Sequence, residues 1–167
     1  MNRLRFLLSL FIALSLQAQG SVELKAVGGG ELKIGATTYL FTLADLSMAP
    51  PKGGLPGAVK LTGTLASRDG SPGFRMDLTV LKNGTLYMLV IQRRMGQAYP
   101  DSWNATPKTR VRILKMEDRL GGRVEIRCDG PLTGVLAQKP VQASWTGSLW
   151  ATFPGGPPSE EGDRAKH

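Results

Sequence analysis

Along residues 74–80, "FRMDLTV", apolar and polar side chains alternate without a break: Phe74, Met76, Leu78 and Val80 against Arg75, Asp77 and Thr79. A strict period of two is the mark of a pleated strand with one buried face. The run ends at "KNGT" (82–85), where Asn83-Gly84 suits a type I′ turn, and "LYMLVIQRR" (86–94) returns. Residues 73–94 therefore read as a β-hairpin. A second hairpin runs from "TRVRILKME" (109–117) through "DRLGG" to "RVEIRCD" (123–129), and a third joins 132–138 to 143–153 through "QKPVQ". Upstream, 22–27, 31–34 and 37–43 are strand-like, with "GGG" (28–30) as a turn. A Pro/Gly-rich loop (48–57) leads into the strand 58–67. No long stretch carries a 3.6-residue period. Nine to ten short strands joined by turn signals predict an all-β domain, a single antiparallel β-sandwich or a full or half barrel.

One pattern recurs: "LTGTLA" (61–66), "LTGVLA" (132–137) and "WTGSLW" (145–150). In extended backbone each places a glycine (Gly63, Gly134, Gly147) between two large apolar residues of the same face. The spacing between these glycines is irregular, so they do not report a repeat architecture. A glycine inside a strand leaves a gap that a neighbouring ring can fill, or a point where the sheet can bend. Packing and curvature are the expected roles, with a glycine floor beneath a bound ligand as the competing one.

The ends differ from the middle. Arg3 and Arg5 precede an apolar stretch (6–16), and "QAQG" supplies small residues, the three parts of a secretory signal peptide, with cleavage expected between Gly20 and Ser21. This stretch of 11 residues falls short of the roughly 20 that span a bilayer, so no transmembrane segment is expected after cleavage. The other end, "PGGPPSEEGDRAKH" (154–167), holds too little apolar surface to offset its ordering entropy and reads as a disordered tail. The folded unit is then 21–153, one domain. The whole chain carries 21 Lys and Arg against 13 Asp and Glu, a formal charge of +8. A basic exported domain meets anionic partners, an acidic envelope lipid, an acidic polysaccharide or extracellular nucleic acid, and solubility alone is the competing reading; another envelope protein is the further partner considered. The single cysteine, Cys128, cannot form an internal disulfide, which fits a bacterial periplasmic or secreted protein. It alternates with Val124 and Ile126 and is read as a small apolar core residue.

Absences narrow the chemistry. The only histidine is His167, in the tail, so histidine-dependent triads and dyads and histidine-ligated zinc have no donor in the domain. There is no phosphate-binding loop, dinucleotide fingerprint or specific nucleic-acid motif, and no cofactor is implied. A carboxylate-pair hydrolase is formally open, but Asp69, Asp77, Asp118 and Glu125 sit in turns or alternate with core residues. The segment "YPDSWNATPKTRVR" (99–112) is read as a long loop that brings Tyr99 and Trp103 near Lys108, Arg110 and Arg112, with Arg127 on the partner strand. Guanidinium groups beside an aromatic ring suit a phosphate, sulfate or carboxylate. Trp103, Lys108, Arg110, Arg112 and Arg127 are therefore the candidate ligand-binding residues, with Arg93 and Arg94 as a possible extension. The competing view makes Trp103 a core plug and the cations a solvated face. The expected function is a non-enzymatic envelope protein that binds an amphipathic or anionic ligand; the alternative is a structural or interaction module.

Overall fold

The computed structural model describes residues 25–70, 73–93 and 101–155. The expected signal peptide, the tail beyond Gly155, and Arg94 and Tyr99 lie outside these. The described chain is all β: β1 (Val27–Ile34), β2 (Thr37–Ala49), β3 (Ala58–Ser67), β4 (Phe74–Leu81), β5 (Leu86–Gln92), β6 (Ser102–Ala105), β7 (Arg110–Met116), β8 (Arg123–Leu136) and β9 (Lys139–Thr152). All pairings are antiparallel. β1 to β6 form a meander, β9 pairs with β1, β8 with β9, and β6 closes on β8. Eight strands thus make a closed barrel, which resolves the choice between sandwich and barrel, and β7 is an additional strand on β8 outside that ring.

The alternation seen in the sequence becomes an inside and an outside. Leu32, Val59, Leu61, Met76, Leu78, Val80, Ile91, Val124, Ile126, Cys128 and Leu132 are fully buried, and the core spans all nine strands. Lys33, Lys60, Arg75, Thr64 and Ser148 point outwards. Apolar inside and polar outside is the inverse of a barrel that faces lipid. Large side chains fill the interior of an eight-stranded barrel. Here Trp145, 1% exposed, is the largest of the fully buried ones.

The three Thr-Gly strands now have a physical account. A β-carbon on Gly63 would lie 2.3 Å from Phe41 Cε2, so the Phe41 ring occupies the gap. On Gly134 it would lie 2.8 Å from Trp103 Cε3. On Gly147 it would meet Leu32 Cδ2 at 2.9 Å and the Glu31 carbonyl at 2.1 Å. Two rings and one leucine fill the missing side-chain volumes, and at all three a carbonyl of the neighbouring strand also approaches closely: Thr42 (2.3 Å) at Gly63, Ser102 (2.1 Å) at Gly134 and Glu31 at Gly147. β2 bulges between Leu43 and Asp45, and Leu43 is the partner of Gly63, so bulge and glycine coincide at one bend.

Three local expectations are corrected. "GGG" is not a turn: Gly28–Gly30 continue β1, because side chains at 28 and 30 would collide with the carbonyls of Trp150 (2.5 Å) and Ser148 (2.2 Å). The third hairpin turns at Ala137-Gln138, both with positive φ (50° and 63°), rather than through 138–142, and β8 runs unbroken across the gap expected at 130–131. At Lys82-Asn83-Gly84 only Gly84 has positive φ (85°). Gly84 N–H donates to the Leu81 carbonyl (2.8 Å) and Leu81 N–H to that of Thr85 (2.9 Å). This is a three-residue turn ending in a glycine bulge, not a type I′ turn.

Candidate binding face on β7 and β8

The site begins with a change of partner. The 14 residues of β8 pair along one edge with two short strands in succession: Leu132–Val135 with β6, and Val124–Asp129 with β7. Between β6 and β7 the chain makes a turn at Thr106–Thr109. Thr109 N–H donates to the Thr106 carbonyl (3.0 Å), Thr106 N–H donates to Thr109 Oγ1 (2.7 Å), and both threonine hydroxyls donate to the Pro131 carbonyl. Thr109 is buried although polar, and these bonds satisfy it. Facing the turn, Gly130 adopts φ +117°, and a β-carbon there would stand 2.8 Å from the Lys108 carbonyl. Gly130 is thus required by close approach.

β7 leaves the ring at this point and carries its charges with it. Arg110 and Arg112 point outwards, while Val111 is buried and Ile113 packs against the core. Simple alternation would then bring Leu114 out and Lys115 in. The register shift between Ile113 and Lys115 bulges Leu114, and Lys115 pairs with the outward Glu125. The bulge therefore keeps Arg110, Arg112 and Lys115 on one outer stripe. Arg123 and Arg127 add two more cations from β8, against the acids Glu125 and Asp129.

These cations are not equally neutralised. Lys115 pairs with Glu117 (3.3 Å) and Arg123 with Glu125 (2.8 Å). Glu117 is held below the usual carboxylate range, chiefly by the N–H that Arg123 donates to it and by the Lys115 ammonium. Arg112 lies directly opposite Arg127, an unfavourable cross-strand pair. Arg110 lies opposite Asp129 but forms no ion pair with it. Asp129 Oδ1 is buried without a hydrogen-bond partner among the described residues. Beyond Arg127 across the sheet come Ser148 and then Glu31, which Arg68 already engages at 2.7 Å. Arg110, Arg112 and Arg127 are exposed and make no ion pair with any described residue.

The candidate set therefore divides. The structure brings together Arg110, Arg112 and Arg127. Lys108 is exposed but sits in the turn, ahead of the stripe. Trp103 is not on this face: it is 6% exposed, belongs to β6 rather than a loop, and points inwards against Gly134. The core-plug reading is the correct one for it. The reason is the strand 102–105, whose pairing with β5 and β8 turns position 103 inwards. Arg93 lies 4.8 Å over the Phe74 ring and pairs with Asp101 (2.9 Å), so it does not extend the patch. The aromatic residue that does share the outer face is Trp150. Its indole lies across Gly29, stacked 5.0 Å from the Arg123 guanidinium, with Glu125 beside it in register. The signal was present: Trp150 has the opposite parity to Trp145, Gly147 and Leu149.

Elsewhere two shallow clefts open to solvent. One, of about 510 Å³, lies between Thr85–Leu89 and Asn104–Thr109; the other, of about 430 Å³, lies over Thr64–Ser67 and Gly73–Arg75. Cys128 is buried, and that burial, with Asp129 beside it, pushes its thiol up to about 12. It behaves as the small apolar residue expected. No cluster of His, Cys, Asp and Glu among the described residues could hold a metal ion. Comparison with protein-family models, with curated proteins and with solved structures finds no match.

Proposed function

We propose that this chain is an exported, non-enzymatic binding protein of the cell envelope that engages an anionic partner on the outside of its barrel, at the basic face of β7 and β8. The observation that carries the reading is the direct opposition of Arg112 and Arg127, with Arg110 adjacent and no acid neutralising the three. Like charges placed opposite one another cost stability, and an anion that bridges them recovers it. The partner's groups are those that match guanidinium: phosphate, sulfate or carboxylate, on a lipid, a polysaccharide or another envelope protein. Export is supported by the N-terminal charge and hydropathy pattern.

The barrel interior does not compete for this role, because Trp145, Leu61, Met76 and Ile126 fill it. The non-enzymatic part is supported by the employment of four of the carboxylates. Asp77 accepts from Thr62 (2.8 Å) and pairs with Arg75 (3.3 Å), and Asp101 pairs with Arg93 and accepts the N–H of Ala137 (2.7 Å). Asp118 pairs with Lys82, and Asp69 accepts from Ser67. None of these is left as one of a facing pair in a cleft.

The test compares Arg110→Glu/Arg112→Glu with Lys52→Glu/Arg119→Glu, which removes the same charge from exposed loops. Retention on an acidic polysaccharide column and binding to anionic vesicles are read at low and near-physiological salt. Loss confined to the first pair, persisting where the Debye length is roughly 8 Å, is the expected result. Equal losses in both would reduce the face to net charge and overturn the proposal.

A further inference from the structure

β7 has one partner. Its residues pair with β8 on one side, and on the other side they pair with no strand among the described residues. Every other strand is held on both sides over at least part of its length, because the eight-stranded ring closes. Among the described residues β7 is thus the edge of the sheet, with a row of backbone donors and acceptors facing outwards. The 510 Å³ cleft along Thr106–Thr109 opens at the head of this edge, where the first residues of β5 also lack a second neighbour: β5 meets β6 only at Val90–Gln92. Leu114, bulged and 58% exposed, stands on the same strand.

An open edge is a template for any extended chain. Charge decides which chains it accepts. The edge carries Arg110, Arg112 and Lys115 on its outer face, so a second copy of β7 laid antiparallel against it would set three cations against three. Neutral strands gain backbone bonds there but leave the cations unanswered. We infer that the free edge of β7 accepts an extended acidic segment of a partner protein by strand addition. The partner's carboxylates stand opposite Arg110 and Arg112 on the outer face, and its alternate apolar side chains lie on the same side as Val111 and Ile113. Backbone bonds hold the segment and the side-chain alternation selects it. This rests on the anionic-partner reading and names the partner class and the mode of attachment.

The probes are three capped nine-residue peptides. One alternates valine and glutamate. The second replaces glutamate with lysine. The third keeps the glutamates but is N-methylated at every residue, so it retains the charge and loses every backbone donor. Affinity is measured by fluorescence anisotropy, and amide exchange is followed across Arg110–Met116. The glutamate peptide is expected to bind, to slow exchange of β7 amides at least tenfold, and to exceed both other peptides at least tenfold in affinity. Arg110→Glu/Arg112→Glu should reverse the preference towards the lysine peptide. Both positions are exposed, and a gained preference for the lysine peptide cannot come from unfolding. Equal binding of the methylated and parent peptides would overturn strand addition while leaving the anionic-partner reading intact. Protection of β7 already complete in the free full-length chain, with no peptide bound, would assign the edge to a segment of this chain or a second copy. Anionic vesicles that bind while the glutamate peptide does not would assign the face to a membrane. Either outcome overturns the inference.

Discussion

Consider adding one methyl group to Gly63. The new carbon would stand 2.3 Å from both Phe41 Cε2 and the Thr42 carbonyl, and 2.6 Å from Phe41 Cζ. Ordinary carbon contacts need about 3.5 Å or more, so either the ring or the strand must give by roughly 1 Å. Phe41 is 3% exposed and held in the core, and its full removal would cost about 3–5 kcal/mol. Displacing it without expelling it costs less, and overpacking in general costs about 1–3 kcal/mol. Gly63→Ala should therefore destabilise by about 2 kcal/mol in urea unfolding. Two companions isolate the cause. Gly29→Ala adds the same methyl to an outward glycine whose nearest neighbour would be 3.3 Å away, and it should be close to neutral. Phe41→Leu shortens the ring, so Gly63→Ala made in that background should cost less by about 1 kcal/mol, a coupling expected of touching residues. The Thr42 carbonyl remains, so the rescue is partial. If Gly63→Ala is as stable as the parent, or if its cost is the same with leucine at 41, the gap is not occupied by the ring.

Three more outcomes can be checked directly. Cys128 should resist thiol reagents in the folded protein at pH 8 and react at once in denaturant, because its thiol is buried and raised to about 12; rapid labelling of native protein would contradict its burial. Gln138 holds φ +63° at the second position of its turn, so Gln138→Gly should raise stability by about 0.5–1 kcal/mol, and a fall in melting temperature would contradict the turn geometry. Burial alone would raise the Asp77 carboxyl, but the Thr62 hydroxyl and the Arg75 guanidinium outweigh it and hold it below the ordinary value. Its contribution is therefore present above the unfolded value of about 3.9 and is lost as pH falls through the folded one. Thr62→Val should destabilise at pH 7 and progressively less as pH falls below about 3.9, and a cost independent of pH would refute the bond.

Much of the barrel was legible because its wall has period two. "FRMDLTV" needs no context to show its faces, and β4 matches that reading. What failed did so where one backbone constrains another. Three consecutive glycines read as a turn in isolation. In the barrel Gly28 and Gly30 let β1 lie against β9, where the carbonyls of Trp150 and Ser148 leave no room for side chains. Gly130-Pro131 read as a break between strands for the same reason. Gly130 takes φ +117° there, but Asp129, Gly130, Pro131 and Leu132 all stay paired with β9, so the strand continues. The turn at Ala137-Gln138 was missed because neither residue advertises positive φ.

The candidate face shows the same division more sharply. The outward orientation of Arg110 and Arg112 is legible by alternation, since both oppose Val111 within one strand and need no distant information. The aromatic neighbour is not legible in this way, because proximity in sequence is not proximity on a surface. Trp103 is seven residues from Arg110, yet it belongs to the inner layer. Trp150 is 23 residues from Arg127, yet it stands one row along on the outer face. The Leu114 bulge was invisible as well, and without it Lys115 would point into the core. A buried unpaired ammonium is costly, so the bulge and the lysine require one another. That dependence ties the charge stripe to the free edge. The irregularity that keeps Lys115 outside also interrupts β7 as a template, and replacing Lys115 with an apolar residue would release the bulge, straighten the edge and weaken its preference for acidic strands.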